Sequence, residues 1–117
     1  MSWNIEMYET EGGRKPVEEF LMALPKYHET KANILIQRLS QEGNMFGFPF
    51  TKTISGKLKE LRIQASPNIY RIFYFAHIDK KFVLLHGFTK KTEQTPRKEI
   101  RIAENRMNEY IRRNKNG

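Results

Sequence analysis

The chain has no cysteine in 117 residues. Disulfides and thiolate metal sites are therefore excluded, and a reducing compartment is allowed. No apolar run approaches the ~20 residues that span a bilayer. The start, MSWNIEMYETEGG, lacks a basic segment followed by an apolar one, so it does not read as a signal peptide. The expectation is a soluble, cytoplasmic protein with no membrane partner. His28, His77 and His86 are scattered without the spacing of a zinc site. Glu60, Asp79, Glu93, Glu99, Glu104 and Glu109 are too dispersed to suggest a two-metal nuclease. A Gly-rich phosphate loop and a nucleophile elbow are also missing. Any chemistry is expected to proceed without metal or cofactor.

What the chain does have is positive charge, and it is unevenly placed. Residues 1–50 hold 5 Lys/Arg and 7 Asp/Glu, whereas residues 51–117 hold 16 and 6. Such asymmetry favours a polyanionic partner, although a basic surface is also compatible with simple solvation. At 13.9 kDa, with 38% hydrophobic residues, the composition suits one folded domain over 1–117.

Periodicity predicts the elements. Trp3, Ile5 and Met7 alternate in a first strand within 2–8. Pro16 opens a helix carrying Val17, Phe20, Leu21 and Leu24, and Pro25 ends it. A second helix is predicted from His28 to Glu42, with Gly43 as its stop. Residues 44–56 read as a packed loop. Strands follow at 58–63, 69–76 and 82–89. Thr95 is placed as an N-cap with Pro96 at the first helical position, and the last helix sets Ile100, Ala103, Met107, Tyr110 and Ile111 against many cations. That helix lacks a Trp/Phe/Leu-rich insertion face, which argues against a membrane-surface role. The order β-α-α-β-β-β-α indicates an α+β domain: a small, mainly antiparallel sheet packed against two N-terminal helices, with a C-terminal helix.

Alternation separates two faces of the three strands. Leu61, Ile63, Tyr70, Ile72, Tyr74, Val83 and Leu85 form an apolar face for the N-terminal helices. The other face carries Leu58, Glu60, Arg62, Ile69, Arg71, Phe73, Phe75, Phe82, Leu84, His86 and Phe88. A two-residue Asp79-Lys80 turn would set Arg71 opposite Phe88 and Phe73 opposite His86. A turn at 66–68 would set Arg62 opposite Arg71 and Glu60 opposite Phe73. Facing arginines repel unless an anion lies between them. The expected result is an open cationic floor with Phe88 as an aromatic wall and Lys90 and Lys91 at its rim.

Arginine forks bind phosphate oxygens, and an aromatic ring stacks an unstacked base. RNA also permits a metal-free cut in which the 2′-OH attacks its own adjacent phosphate. Arg62 and Arg71 would stabilise charge; Glu60, His86 or a lysine such as Lys57 would move protons. Lys57, Lys59, Arg97 and Lys98 are further candidate RNA contacts. Each has a plainer reading: Arg62 paired with Glu60, His86 structural, Phe88 in the core, and the helix cations a wet face.

GKLKELRI, YRIFYF and VLLHGFTKKTEQTPRKEIRIAENRMNEY resemble the phage-derived branch of HigB-like toxins in the RelE/ParE superfamily. GGRKPVEEFLMAL fits that branch too, so the resemblance covers nearly the whole chain. It implies a RelE-like fold and the toxin of a type II toxin–antitoxin pair. Such a toxin is a ribosome-dependent mRNA endonuclease that acts without metal. Its partners would be the ribosome, mRNA and a cognate helix-turn-helix antitoxin. By position Arg71 matches the arginine of the superfamily YR strand, Arg62 the arginine ending the preceding strand, and Lys90 and Lys91 the basic pair after the last strand. The chain departs from the RelE archetype in having Leu58 and Glu60 where lysines occur, and in placing Tyr110 far along its last helix. The competing readings are a ParE-like inhibitor of DNA gyrase and a non-catalytic RNA-binding module.

Overall fold

A computed structural model describes residues 2–91 and 94–115. Thr92 and Glu93 of the HGFTKKTEQTP stretch, and Asn116 and Gly117 of the tail, lie outside the described residues. The elements are β1 (Asn4–Met7), α1 (Pro16–Met22), α2 (Lys26–Glu42), a 3-10 turn (Gly43–Met45), β2 (Thr51–Ser55), β3 (Leu58–Ala65), β4 (Asn68–His77), β5 (Lys81–Lys90) and α3 (Arg97–Arg113). The class is α+β, as expected. No helix among the described residues is long and apolar enough to cross a membrane.

The five strands form one sheet in the order β1-β5-β4-β3-β2. β1 runs parallel to β5, and the other pairs are antiparallel. The β2 strand corrects the reading of residues 44–56 as loop throughout. Its Thr51-Lys52-Thr53-Ile54 is β-branched on three of four positions, which suits a strand at a sheet edge.

Both faces of the sheet are covered. On one side α1 and α2 contribute Val17, Leu21, Ala32, Ile36 and Leu39 against Leu61, Ile63, Tyr70, Ile72 and Tyr74. On the other, Ala103 and Tyr110 of α3 pack on Leu58, Phe73 and Phe75. Gly43 ends α2 at φ +59, where an added Cβ would strike the Trp3 ring. The α3 helix begins one residue later than predicted, with Pro96 at the N-cap rather than inside the helix.

The strand registers around Arg71 are those expected. Arg62 lies opposite Arg71, Glu60 opposite Phe73, Arg71 opposite Phe88 and Phe73 opposite His86. The turn that delivers them is different. Ile78, Asp79 and Lys80 make a three-residue loop, with Asp79 and Lys80 at φ 65 and 52. The count is restored by a bulge, since pairing steps from Phe73–His86 directly to Tyr74–Leu84 and leaves Leu85 as an extra residue. One inserted residue reverses the alternation beyond it. Val83 and Leu85 therefore join the α3 side, and Phe82 and Leu84 join the α1/α2 side, the reverse of the predicted faces.

Candidate functional site

Two neighbouring rows of side chains cross the α3 side of the sheet. One runs Lys52, Glu60, Phe73, His86 over β2 to β5, and the next runs Arg62, Arg71, Phe88 over β3 to β5. The first row joins the edge strand to His86, and the second places two guanidinium groups directly across a ladder.

The repulsion between Arg62 and Arg71 is relieved diagonally. Arg71 donates from Nη1 to Oε2 of Glu60 in a salt bridge, and both residues are buried, at 3% and 1% exposure. That burial corrects the expected open floor: Arg71 is a paired interior cation, and its partner is Glu60 rather than Arg62's. Water is replaced by one strong charge-assisted contact on each group. The satisfaction is incomplete, because Glu60 Oε1 and Arg71 Nε are buried without a hydrogen-bond partner among the described residues.

The residues Glu60 and Arg71 help to line a recess of about 340 Å³, together with Phe48, Pro49, Thr51, Lys52 and Arg62, although their two unpartnered atoms are themselves shielded. Three cations and one carboxylate thus converge on one opening. Phe48 at its mouth is 92% exposed. A free aromatic face beside cations is the environment expected for Phe88, but Phe88 itself is only 7% exposed and packed in the core beside Phe73. Strand periodicity does not reach Lys52 and Phe48. A FGFPF cluster beside a β-branched TKTI segment was the available signal for both.

The remaining predicted residues fall elsewhere. Lys59 pairs with Tyr74 and so points to the α1/α2 side of the sheet, away from Glu60 and Arg62. Lys57 sits in the β2–β3 turn, five residues from Arg62 along the strand, a separation of roughly 16 Å. Lys90 closes β5 opposite Ile69, and Lys91 lies exposed just beyond it. Arg97 and Lys98 are exposed on the first turn of α3.

His86 is engaged at both nitrogens. Nε2 lies 2.6 Å from Glu99 Oε1, and Arg106 Nη1 lies 3.2 Å from Nδ1. A guanidinium only donates, so Nδ1 is the acceptor and the imidazole proton sits on Nε2, donated to Glu99. Burial is the main force holding the His86 pKa below its ordinary value, with Arg106 adding to it and Glu99 opposing. Arg106 also donates to the Leu85 carbonyl at 2.8 Å, satisfying backbone freed by the bulge. His86 is therefore a link between β5 and α3, separated from Glu60 by the fully buried Phe73 ring.

The described residues thus form a small α+β domain with a cationic recess at its sheet edge, arginines on adjacent strands and a buried carboxylate. Residues 19–108 match the model of the family described as phage-derived protein Gp49-like. The chain belongs to this phage-derived, RelE/HigB-like toxin family. Among curated proteins no sequence matches.

Proposed function

We propose that the chain is the toxin of a type II toxin–antitoxin pair, of the HigB branch, and that it cleaves mRNA on the ribosome without metal. The observation that carries this reading is the recess lined together by Lys52, Arg62, Arg71 and Glu60, three cations and one carboxylate. A phosphodiester seated there meets the guanidinium of Arg62 and the ammonium of Lys52, with Phe48 presenting a ring to an adjoining base.

In the reaction, Glu60 takes the proton of the ribose 2′-OH as the 2′-oxygen forms its bond to phosphorus. Arg62 and Arg71 face the negative charge that grows on the phosphoryl oxygens. The bond from phosphorus to the 5′-oxygen breaks, and Lys52 protonates that oxygen. The products are a 2′,3′-cyclic phosphate and a 5′-hydroxyl end. His86 takes no part as base, since both of its nitrogens are occupied. The partners of this reading are mRNA, the ribosome and a cognate helix-turn-helix antitoxin, in the cytoplasm.

Primer extension on translating ribosomes tests it with wild type, Arg62→Ala and Lys52→Ala. Both residues are at least partly exposed, so both variants are expected to fold and to lose cutting by at least roughly a hundredfold. Full cutting by folded Arg62→Ala would overturn the site. Intact transcripts with accumulating DNA breaks would instead mark a gyrase inhibitor, and RNA binding with intact ends a non-catalytic binder.

A further inference from the structure

A second cavity, of about 410 Å³, lies on the other side of Arg62 and Pro49 from the recess. Both residues line both spaces, so they form the ridge between them. Here the β2–β3 ladder stops at Thr51–Leu61, followed by one further bond from Arg62 N–H to the Phe50 carbonyl, while β3 continues to Ala65. The walls are Ile34 and Leu35 of α2 together with Pro49 and Phe50, and the polar groups are Lys31, Gln64 and Ser66. No carboxylate lines it among the described residues.

We propose that this cavity is a nucleobase subsite, receiving the base next to the phosphate held at Arg62. The inference rests on the RNA reading of the recess and adds a specificity pocket to it. Three observations carry it. Adjacency comes first, because one arginine borders both spaces, and a nucleotide whose phosphate is on Arg62 has its base within one sugar of the cavity. Chemistry comes second. Apolar walls desolvate a base, while the Gln64 amide offers one donor and one acceptor to its edge, the pattern by which amide side chains read bases. Third, the charges on the lining are Lys31 and Arg62, which suit the phosphates that flank a base and disfavour an acid-free apolar ligand. Cavities of this size and mixed lining are typical of small-molecule sites.

Phe48 and this cavity then lie on either side of the ridge, so adjoining bases are held differently. One stacks on an open ring at the mouth of the recess, and the other enters a walled space with an amide reader. Discrimination between bases belongs to the second.

The experiment uses ribosome-bound messages identical except for the base flanking the cut, with wild type, Gln64→Ala and Ile34→Glu. A parallel arm photo-crosslinks an uncleavable 2′-deoxy oligonucleotide, carrying 4-thiothymine at that position, to each protein. Gln64 and Ile34 are exposed, so both variants are expected to fold. Wild type is expected to spread its four rates by roughly tenfold or more, and Gln64→Ala to compress that spread to about twofold. Ile34→Glu should slow all four messages and abolish the crosslink to peptides containing residues 31–35 or 64–66. Cutting with an unchanged spread in Gln64→Ala, or crosslinks confined to the recess, overturns the subsite and leaves the nuclease reading standing. A crosslink in the cavity without cutting by wild type supports the subsite and sinks the nuclease reading.

Discussion

Glu60 on β3 and Arg71 on β4 form a buried ion pair across a diagonal of the sheet, one row out of direct register. Direct opposition would have joined Arg71 to Arg62, a repulsive neighbour. The diagonal places the one carboxylate that lines the recess among the described residues beside the most buried of its cations.

That pairing makes Arg71 a poor single probe of function. Arg71→Met should cost about 3–5 kcal/mol, because it leaves Glu60 charged and alone in the interior. The double variant Glu60→Leu with Arg71→Met should recover most of that stability and remain inactive. Urea unfolding of both singles and the double, set in a cycle, measures the coupling.

Removing Arg106 should be felt at two places. Arg106→Met leaves the Leu85 carbonyl without its donor, a loss of about 1–3 kcal/mol. It also removes the positive charge beside His86, so the His86 pKa should rise from its depressed value. An NMR titration of the His86 ring reads the second effect independently of the first.

His86 should make the protein acid-sensitive over a defined range. Above its ordinary pKa of 6.5 the ring is neutral in both folded and unfolded chains, and its contribution is complete. As pH falls below that value the unfolded chain takes up a proton that the folded one resists, so stability drops until the folded pKa is passed. His86→Gln lacks this step. The stability gap between wild type and His86→Gln should narrow in urea melts as pH falls below 6.5.

Gly87 of β5 faces α1, where a Cβ would come 2.6 Å from Cδ2 of Phe20. Gly87→Ala should therefore destabilise by about 1–3 kcal/mol. Phe20→Leu in the same chain should return part of the loss, which thermal melts of the single and double variants would show.

The architecture was legible where a pattern is local. Pro16, Pro25 and Gly43 punctuate the two N-terminal helices, and their stripes of Val17, Leu21, Ile36 and Leu39 all face the sheet. The register at Arg62, Arg71 and Phe88 also followed from the turns, although by compensating counts. The loop after His77 is one residue longer than expected, and Leu85 absorbs the difference. A bulge has no signature in alternation itself, so alternation alone puts Phe82 through Leu85 on the opposite faces.

The site was legible in part. Glu60, Arg62 and Arg71 were named from charge inside apolar strands, and all three border the recess. Lys52 and Phe48 were not, because an edge strand of five residues beside Gly and Pro reads as loop. The partner of Arg71 was also hidden, since a diagonal contact depends on side-chain reach rather than on register. Burial of Phe88 and His86 depends on how α3 lies across the sheet, which no strand periodicity records.

The first strand has a bearing on the order in which the chain is made. Its sheet neighbour is β5, so Asn4–Met7 must wait for Lys81–Leu84 to be synthesised before it can pair. Until then β4 too lacks one of its two flanking strands, and Arg71 has no Phe88 beside it. A nascent or prematurely ended chain cannot assemble the sheet on which the recess is built. Completion of the sheet, and the covering of Arg71 by its neighbour Phe88, therefore waits on the fifth strand.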